Sequence, residues 1–372
     1  MKAVYVVKQE IATGLGDGIA QNWDRFARGE SAVAAANARP IERNGGRVAA
    51  VISDLRPAAG ENRVCAAARR VLDRIGPVPP AAFIVWTGLK GNAEYIESGG
   101  RIPMPFLPEH YRRWAAGLLG AGGRGLDISA ACASSTVGLA IGAQKIALGQ
   151  CGAVLVCAAD VVTGFVAAGF AALKALTTGA CRPFDRDRDG MCVGDGAAAI
   201  LLADAKTADG LKLDRLARVA GWGISNDANH ITGPARDGRG LAAAMAAAME
   251  MAGTRPDDIQ AFCAHGTGTV FNDGMELAAL DSLFGDRLFP AFSIKGAIGH
   301  TLGAAGGIDA AISVRALAEK RVPPTAGMRT PESRARGRVS DQVQVFGGRT
   351  LLTTNSGFGG INAALLLQAT DG

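Results

Sequence analysis

The chain has 372 residues, 48% of them hydrophobic and 20% charged, with a formal net charge of +5. That composition belongs to a globular protein able to bury a large core, and it excludes a disordered or low-complexity chain. No uninterrupted apolar run reaches the roughly 18 residues of a membrane span. The positive residues are also too scattered for the dense, aromatic-laced stripe of a nucleic-acid surface.

The N-terminus, MKAVYVVKQE, reads as a strand and lacks the charged-then-apolar run and cleavage site of a signal peptide. In the first half, residues 2–7, 82–86, 125–129, 153–158 and 197–203 read as strands. Helical stretches fall at 64–75, 111–119 and 134–148. The second half repeats the theme, with strands at 216–225, 259–264, 349–354 and 363–368 and helices at 241–251, 275–283 and 305–317. Alternating elements of this kind predict a layered α/β protein. The two halves, about 1–205 and 210–372, read as duplicated units packed as one domain over 1–372. The segment 204–210, DAKTADG, is the expected joint.

Seven cysteines form an odd set with no C-x-x-C pair. A reducing, cytoplasmic setting fits them better than a disulfide framework or a metal site. Cys132 stands out in GLDISAACASSTVGL, where an apolar strand turns into an apolar helix. A helix N-terminus offers free N–H groups and partial positive charge, so a thiol there is expected to have a lowered pKa and to be nucleophilic. A small cysteine buried in an Ala-rich core fits the same residues. His265 lies in A-H-G-T-G-T after a buried strand, and His300 in G-H-T-L-G-A-A-G-G at the start of a helix. Either could be structural. Two histidines in the same glycine-rich setting, beside a poised cysteine, point to catalysis.

The polar loop RPFDRDRDGMCVGDG at 182–196 has a D-x-D-x-D-like spacing, but arginines interrupt it and the closing glutamate of a calcium loop is missing. A salt-bridged structural loop is the expectation. GLGDG at 14–18 is not the G-x-G-x-x-G of a dinucleotide site.

Taken together, AACASS, RPFDRDRDG, DANHITGPARDGRG, AHGTGTVFNDGME, KGAIGHTLGAAGG and NSGFGGIN occur in the order of one family. The chain resembles the elongating β-ketoacyl-acyl-carrier-protein synthases of the thiolase superfamily, the type with a Cys-His-His triad. The resemblance implies a five-layered α-β-α-β-α thiolase-like fold. It also implies decarboxylative condensation of an acyl group on Cys132 with malonyl-acyl carrier protein, supported by His265 and His300. It further implies that Lys295 orders the site and that the backbone N–H groups of Cys132 and Phe358 form an oxyanion hole, with the Phe358 ring as a gate. Thr267 and Thr269 would lie near the phosphopantetheine arm, Ser356 beside the substrate, and Asp273, Glu276 and Asp309 would be structural. No metal and no cofactor beyond the carrier's own arm are implied. The implied partners are an acyl carrier protein and a second subunit, identical or related.

The chain departs from that pattern in four places. The stretch before Cys132 is shorter by roughly thirty residues. Ser356 replaces a phenylalanine, Asp195 a glutamate, and Asp309 a longer-reaching glutamate, so the usual partner of Asp309 is expected to sit differently. These departures favour a specialised fatty-acid-like, polyene or polyketide pathway. A non-catalytic, chain-length-factor-like subunit is the alternative, although such partners usually lack the cysteine. A thiolase would need a second cysteine near the C-terminus, and none follows Cys263. Arg63, Arg69, Arg70, Arg112 and Arg113 are the candidate dock for the carrier.

Overall fold

The computed structural model describes residues 1–35, 48–100 and 108–370. Ten strands form the path of its main sheet. In the first half these are β1 (Val4–Thr13), β2 (Phe83–Thr87), β3 (Gly125–Ile128), β4 (Ala153–Asp160) and β5 (Gly196–Asp204). In the second they are β6 (Ala217–Asn226), β7 (Ala261–Cys263), β8 (Ala291–Phe292), β9 (Thr350–Gly357) and β10 (Ile361–Gln368). Helices of nine or more residues are α1 (Ile19–Ala27), α2 (Arg63–Ile75), α3 (Pro108–Leu119), α4 (Ser134–Ala147), α5 (Gly164–Ala172), α6 (Arg239–Ala252), α7 (Val270–Phe284) and α8 (Ala305–Glu319).

The strand order is β3-β2-β4-β5-β1 in the first half and β8-β7-β9-β10-β6 in the second. Adding five to each label turns one half into the other. The directions repeat as well. The pairs β2–β3 and β2–β4 are parallel, and β4–β5 and β1–β5 antiparallel. The counterparts β7–β8 and β7–β9 are parallel, and β9–β10 and β6–β10 antiparallel. Tyr5 against Arg218 and Val6 against Ala217 join the halves through β1 and β6.

The period-two alternation of strands sorts side chains into layers. Val154, Val156, Ala158, Ile200 and Leu202 face inward with α4 and α8, and so do Leu351, Leu365 and Leu367 from the other half. Leu155, Cys157, Ala199 and Leu201 face outward onto α2 and α3. Phe262, Leu352 and Leu366 face outward onto α6 and α7. Two outer helix layers, two half-sheets and a central α4–α8 layer make five. This is the thiolase-like arrangement.

Residues 204–210, the expected joint, run from the end of β5 toward β6. Ala205–Gly210 is a short helix, and the Asp204 side chain caps it by accepting from the Thr207 N–H at 2.8 Å. Gly16–Asp17 pairs back onto Ala12 and Thr13, so GLGDG is a hairpin turn. No helix among the described residues is long and apolar enough to cross a membrane.

Candidate active site

The site gathers where three loops leave the C-terminal ends of β3, β7 and β8. After β3, the chain turns sharply into α4. Ala131 sits in the left-handed region with φ 49°, a conformation that costs an L-residue about 1–2 kcal/mol. Ser134 Oγ locks the turn, accepting from Ala130 N–H at 2.9 Å and donating to the Ala131 carbonyl at 2.5 Å. Cys132 is thereby presented at the head of α4, 5% exposed. A Cβ at Gly357 would lie 3.0 Å from the Ala130 carbonyl oxygen, so glycine lets the loop after β9 press against this turn. In that position the backbone N–H groups of Cys132 and Phe358 both reach the thiol sulfur.

After β7, two buried carboxylates from α7 clasp the histidine loop. Glu276 accepts from the N–H groups of His265 and Gly266 at 2.7 and 2.6 Å. Asp273 accepts from Thr267 N–H at 2.9 Å and from Phe184 N–H at 2.8 Å. The Thr267 and Thr269 hydroxyls hydrogen-bond each other at 2.9 Å. After β8, the loop carrying His300 leads into α8. A Cβ at Gly306 would come within 1.9 Å of Thr136 Oγ1, so only glycine lets α8 pack this closely on α4.

Cys132, His265 and His300 are all buried. The sulfur and one nitrogen of each histidine lie within 4.8 Å of one another. The two rings meet edge-on, with centroids 5.0 Å apart at 84°. Their hydrogen bonds fix the tautomers. His300 Nδ1 accepts from Leu302 N–H at 3.0 Å, which leaves the proton on Nε2. Asn355 Nδ2 contacts His265 Nδ1 at 3.0 Å and donates to Asp309 Oδ2 at 2.8 Å. A carboxylate accepts only from the amide nitrogen, so Asn355 is a donor on this side and His265 too carries its proton on Nε2. A thiolate and two imidazoles could hold a thiophilic cation in principle, but a protonated Nε2 offers no lone pair.

Lys295 Nζ meets Asp309 Oδ2 at 2.9 Å, with both side chains almost wholly buried. Asp309 thus makes a direct ion pair with Lys295 despite being shorter than glutamate. Burial and the Lys295 charge hold His300 far below an ordinary imidazole, at about 3, and push His265 down in the same direction. Both rings rest neutral. Burial raises the Cys132 thiol to about 12, against the smaller lowering effects of Lys295 and the two N–H groups. The lowered thiol pKa expected from the helix terminus is therefore not found: desolvation wins in the closed site, and the resting sulfur is protonated.

A cleft of about 950 Å³ opens from this cluster, lined among others by Thr267, Thr269, Ser356 and Phe358. The Phe358 ring lies 5.8 Å from that of Phe170 and is partly exposed. The Ser356 hydroxyl donates to Asn362 Oδ1 at 2.7 Å. Asn355, Lys90 and Asp160 were not singled out from sequence. Lys90 pairs with Asp160, and Asp160 Oδ2 also accepts from Leu89 N–H and Gly303 N–H at 2.9 Å each. Gly303 lies three residues after His300, so this pair ties the two halves together at the site. Asn355 was legible only as a neighbour of Ser356 inside NSGFGG.

Residues 114–208 match the model of the beta-ketoacyl synthase N-terminal domain, and residues 216–329 that of the C-terminal domain. The chain is 35% identical over 295 residues to 3-oxoacyl-acyl-carrier-protein synthase 2 of Vibrio cholerae serotype O1, covering 75% of this chain and 71% of that one. The chain belongs to the β-ketoacyl synthase family. The Staphylococcus aureus (strain COL) protein of the same name is 34% identical over 291 residues, 74% of this chain and 70% of its own. The solved ishigamide ketosynthase/chain length factor superposes with a TM-score of 0.89 at 25% identity over 100% of both chains. A β-ketoacyl synthase from Burkholderia phymatum STM815 shares the fold, with a TM-score of 0.88 at 23% identity.

The polar loop in this synthase is structural. Asp185 Oδ2 accepts from Arg329 N–H and Thr330 N–H at 2.6 and 2.8 Å, and Asp195 accepts from Ile52 N–H and Val162 N–H. The five arginines expected to form a carrier dock each face a carboxylate. Arg63 pairs with Asp195, Arg69 with Glu61, Arg70 with Asp17 and Asp54, and Arg112 with Asp127. Arg113 reaches Glu109 at 4.0 Å, and none of the five lines the cleft.

Proposed function

We propose that Cys132 takes up an acyl group and that the chain condenses it with malonyl carried on an acyl carrier protein, in a specialised fatty-acid-like, polyene or polyketide pathway. In loading, the sulfur bonds to the incoming thioester carbonyl, the carrier's C–S bond breaks, and the thiol proton passes to the departing arm thiolate. The oxyanion formed on the way is met by the N–H groups of Cys132 and Phe358. In the second step the malonyl C–C bond breaks, carbon dioxide leaves, and the electron pair moves to the thioester oxygen. The Nε2–H groups of His265 and His300 donate to that oxygen. The resulting carbon nucleophile attacks the acyl group, expelling Cys132 as a thiolate that regains a proton.

One observation carries this reading. His300 Nε2 is buried with no hydrogen-bond partner among the described residues, yet the bond at Nδ1 makes it a donor. Such an orphan costs about 1–3 kcal/mol, and a substrate carbonyl oxygen entering the cleft would satisfy it. Thr267 and Thr269 would contact the phosphopantetheine arm, Phe358 would act as gate, and Ser356 would border the acyl group. Lys295, Asp309, Asp273 and Glu276 act through the histidines. We take the whole chain as one catalytic unit that works as a dimer, with an identical or related partner, in the cytoplasm. An intact Cys132 disfavours a non-catalytic partner role.

Intact-mass analysis after expression with the native carrier tests the assignment. The wild-type chain should retain an acyl mass that Cys132→Ala lacks. Loading that persists in the alanine variant overturns it.

A further inference from the structure

Three consecutive hydroxyls open α4, and all three side chains are buried. Ser134 closes the turn that presents Cys132. Ser135 Oγ accepts from Gly307 N–H at 2.8 Å and so holds the first turn of α8. Thr136 Oγ1 reaches across to β9, donating to Asn355 Oδ1 at 2.6 Å. A threonine in a helix can turn its hydroxyl back to the carbonyl four residues earlier, here that of Cys132. This one crosses instead to the other half of the fold. Gly306 keeps the space for that bond, since a Cβ there would also lie 2.8 Å from Asn355 Oδ1. The Asn355 amide is then fully engaged, with one hydrogen on Asp309, one on His265 Nδ1, and its oxygen on Thr136.

We infer that Thr136 is a positioning residue for decarboxylation: its hydroxyl anchors the Asn355 amide and thereby keeps His265 protonated on Nε2. The inference rests on the proposed function, in which that Nε2–H donates to the enolate oxygen. Asp309 holds the amide at one corner, about which it can pivot. Thr136 supplies the opposite anchor, which fixes the second amide hydrogen on His265 Nδ1. Without the hydroxyl, Oδ1 is a buried acceptor that has lost its donor. The amide turns to relieve this, Nδ1 loses its own donor, and the two tautomers of His265 draw closer in energy. A methyl group would fill the same space; what threonine adds is the donor.

The test uses the full chain with isotopically labelled histidine, read by NMR of the ring nitrogens. The sequence holds four histidines, and the signals lost in His265→Ala identify the ring in question. Wild-type His265 should show a single tautomer, protonated on Nε2. In Thr136→Val its two nitrogens should shift toward the average of both tautomers, while those of His300, held by Leu302 N–H, stay in place. Release of carbon dioxide from the malonyl carrier should fall about tenfold in kcat, with KM within about twofold, short of the roughly 10²–10³-fold cost of a lost donor. Thr136→Ala, which removes the hydroxyl without a new methyl group to place, should repeat the valine result. Thr136→Ser, which keeps the hydroxyl, should restore both readouts. Unchanged His265 shifts in the valine and alanine variants overturn the inference, as does a serine variant that restores neither readout. A wild-type ring locked on Nε2 in a chain that releases no carbon dioxide would instead overturn the catalytic reading and leave the anchor standing.

Discussion

The two halves share a strand order but not a chemistry. In the first half, the last β2 pair sets Thr87 against Ala158; in the second, the last β7 pair sets Cys263 against Thr353. Two residues beyond the second partner stand Asp160 in one half and Asn355 in the other. Beyond the first partner, Lys90 stands three residues on in one half and His265 two residues on in the other. One architectural corner therefore holds a buried ion pair, and its counterpart holds a neutral His–Asn pair. The loop after the third strand differs likewise, carrying Cys132 in the first half and His300 in the second. A duplicated fold brings equivalent loops to one point. On the proposed mechanism, one half supplies the nucleophile and the other the enolate donors.

The largest effect should come from removing a donor on one side only. His300→Ala should slow malonyl-thioester decarboxylation by about 10²–10³-fold, the usual cost of losing one preorganised oxyanion donor. Cys132→Ala, which removes only the acyl acceptor, should still release carbon dioxide. Measuring carbon dioxide release for both variants separates the halves. If both lose it equally, the division of labour is wrong.

A smaller and more pointed contrast lies in the two buried lysines. Lys295 and Lys90 each neutralise a buried carboxylate, Asp309 and Asp160 respectively. Replacing either with methionine strands that carboxylate, and about 3–5 kcal/mol of stability should be lost in each case by urea denaturation. Only Lys295, however, depresses the two histidines. Lys295→Met should therefore raise their pKa values and move the acid limb of the decarboxylation profile to higher pH. Lys90→Met should leave that limb where it was. Equal movement in both would show that the first half also tunes the donors.

Much of this was legible in the sequence, for reasons that differ by element. Short apolar runs marked nine of the ten strands, the two-residue β8 being missed, and β7, expected at 259–264, forms at Ala261–Cys263. Residues 164–172, GFVAAGFAA, were missed because apolar and small side chains fill every position, leaving no polar face to reveal a helical period. Cys132, His265 and His300 could be read from their turn-like surroundings, and the structure brings all three together. Their protonation could not. It depends on desolvation and on Lys295, and a helix start alone suggested a lowered thiol pKa where burial raises it. Ion pairing was also hidden. Arg63 looks free in sequence, but its partner Asp195 lies 132 positions away.

The smallest expected effect is a flat line. An ordinary histidine gains a proton near pH 6.5, which would cost a neutral Nε2–H donor nothing but would disturb its Nδ1 acceptor role. Here burial and Lys295 keep His300 neutral down to about 3, with His265 depressed in the same sense. Wild-type decarboxylation should change less than about twofold between about pH 5 and 7. Rate is the better readout, because stability mixes opposing terms. The unfolded chain's histidines take up protons below about 6.5 while the folded ones do not, so they cost the fold stability as pH falls from there toward 3. Glu276 works in reverse. Burial and the neighbouring Asp273 raise it to about 8, so the fold holds its proton where the unfolded chain releases it, and stability declines as pH rises from about 4.5 to 8. An acid limb near pH 6.5 in the wild-type rate would mean that the second half's donors titrate like exposed histidines, and the comparison between the halves would lose its electrostatic basis.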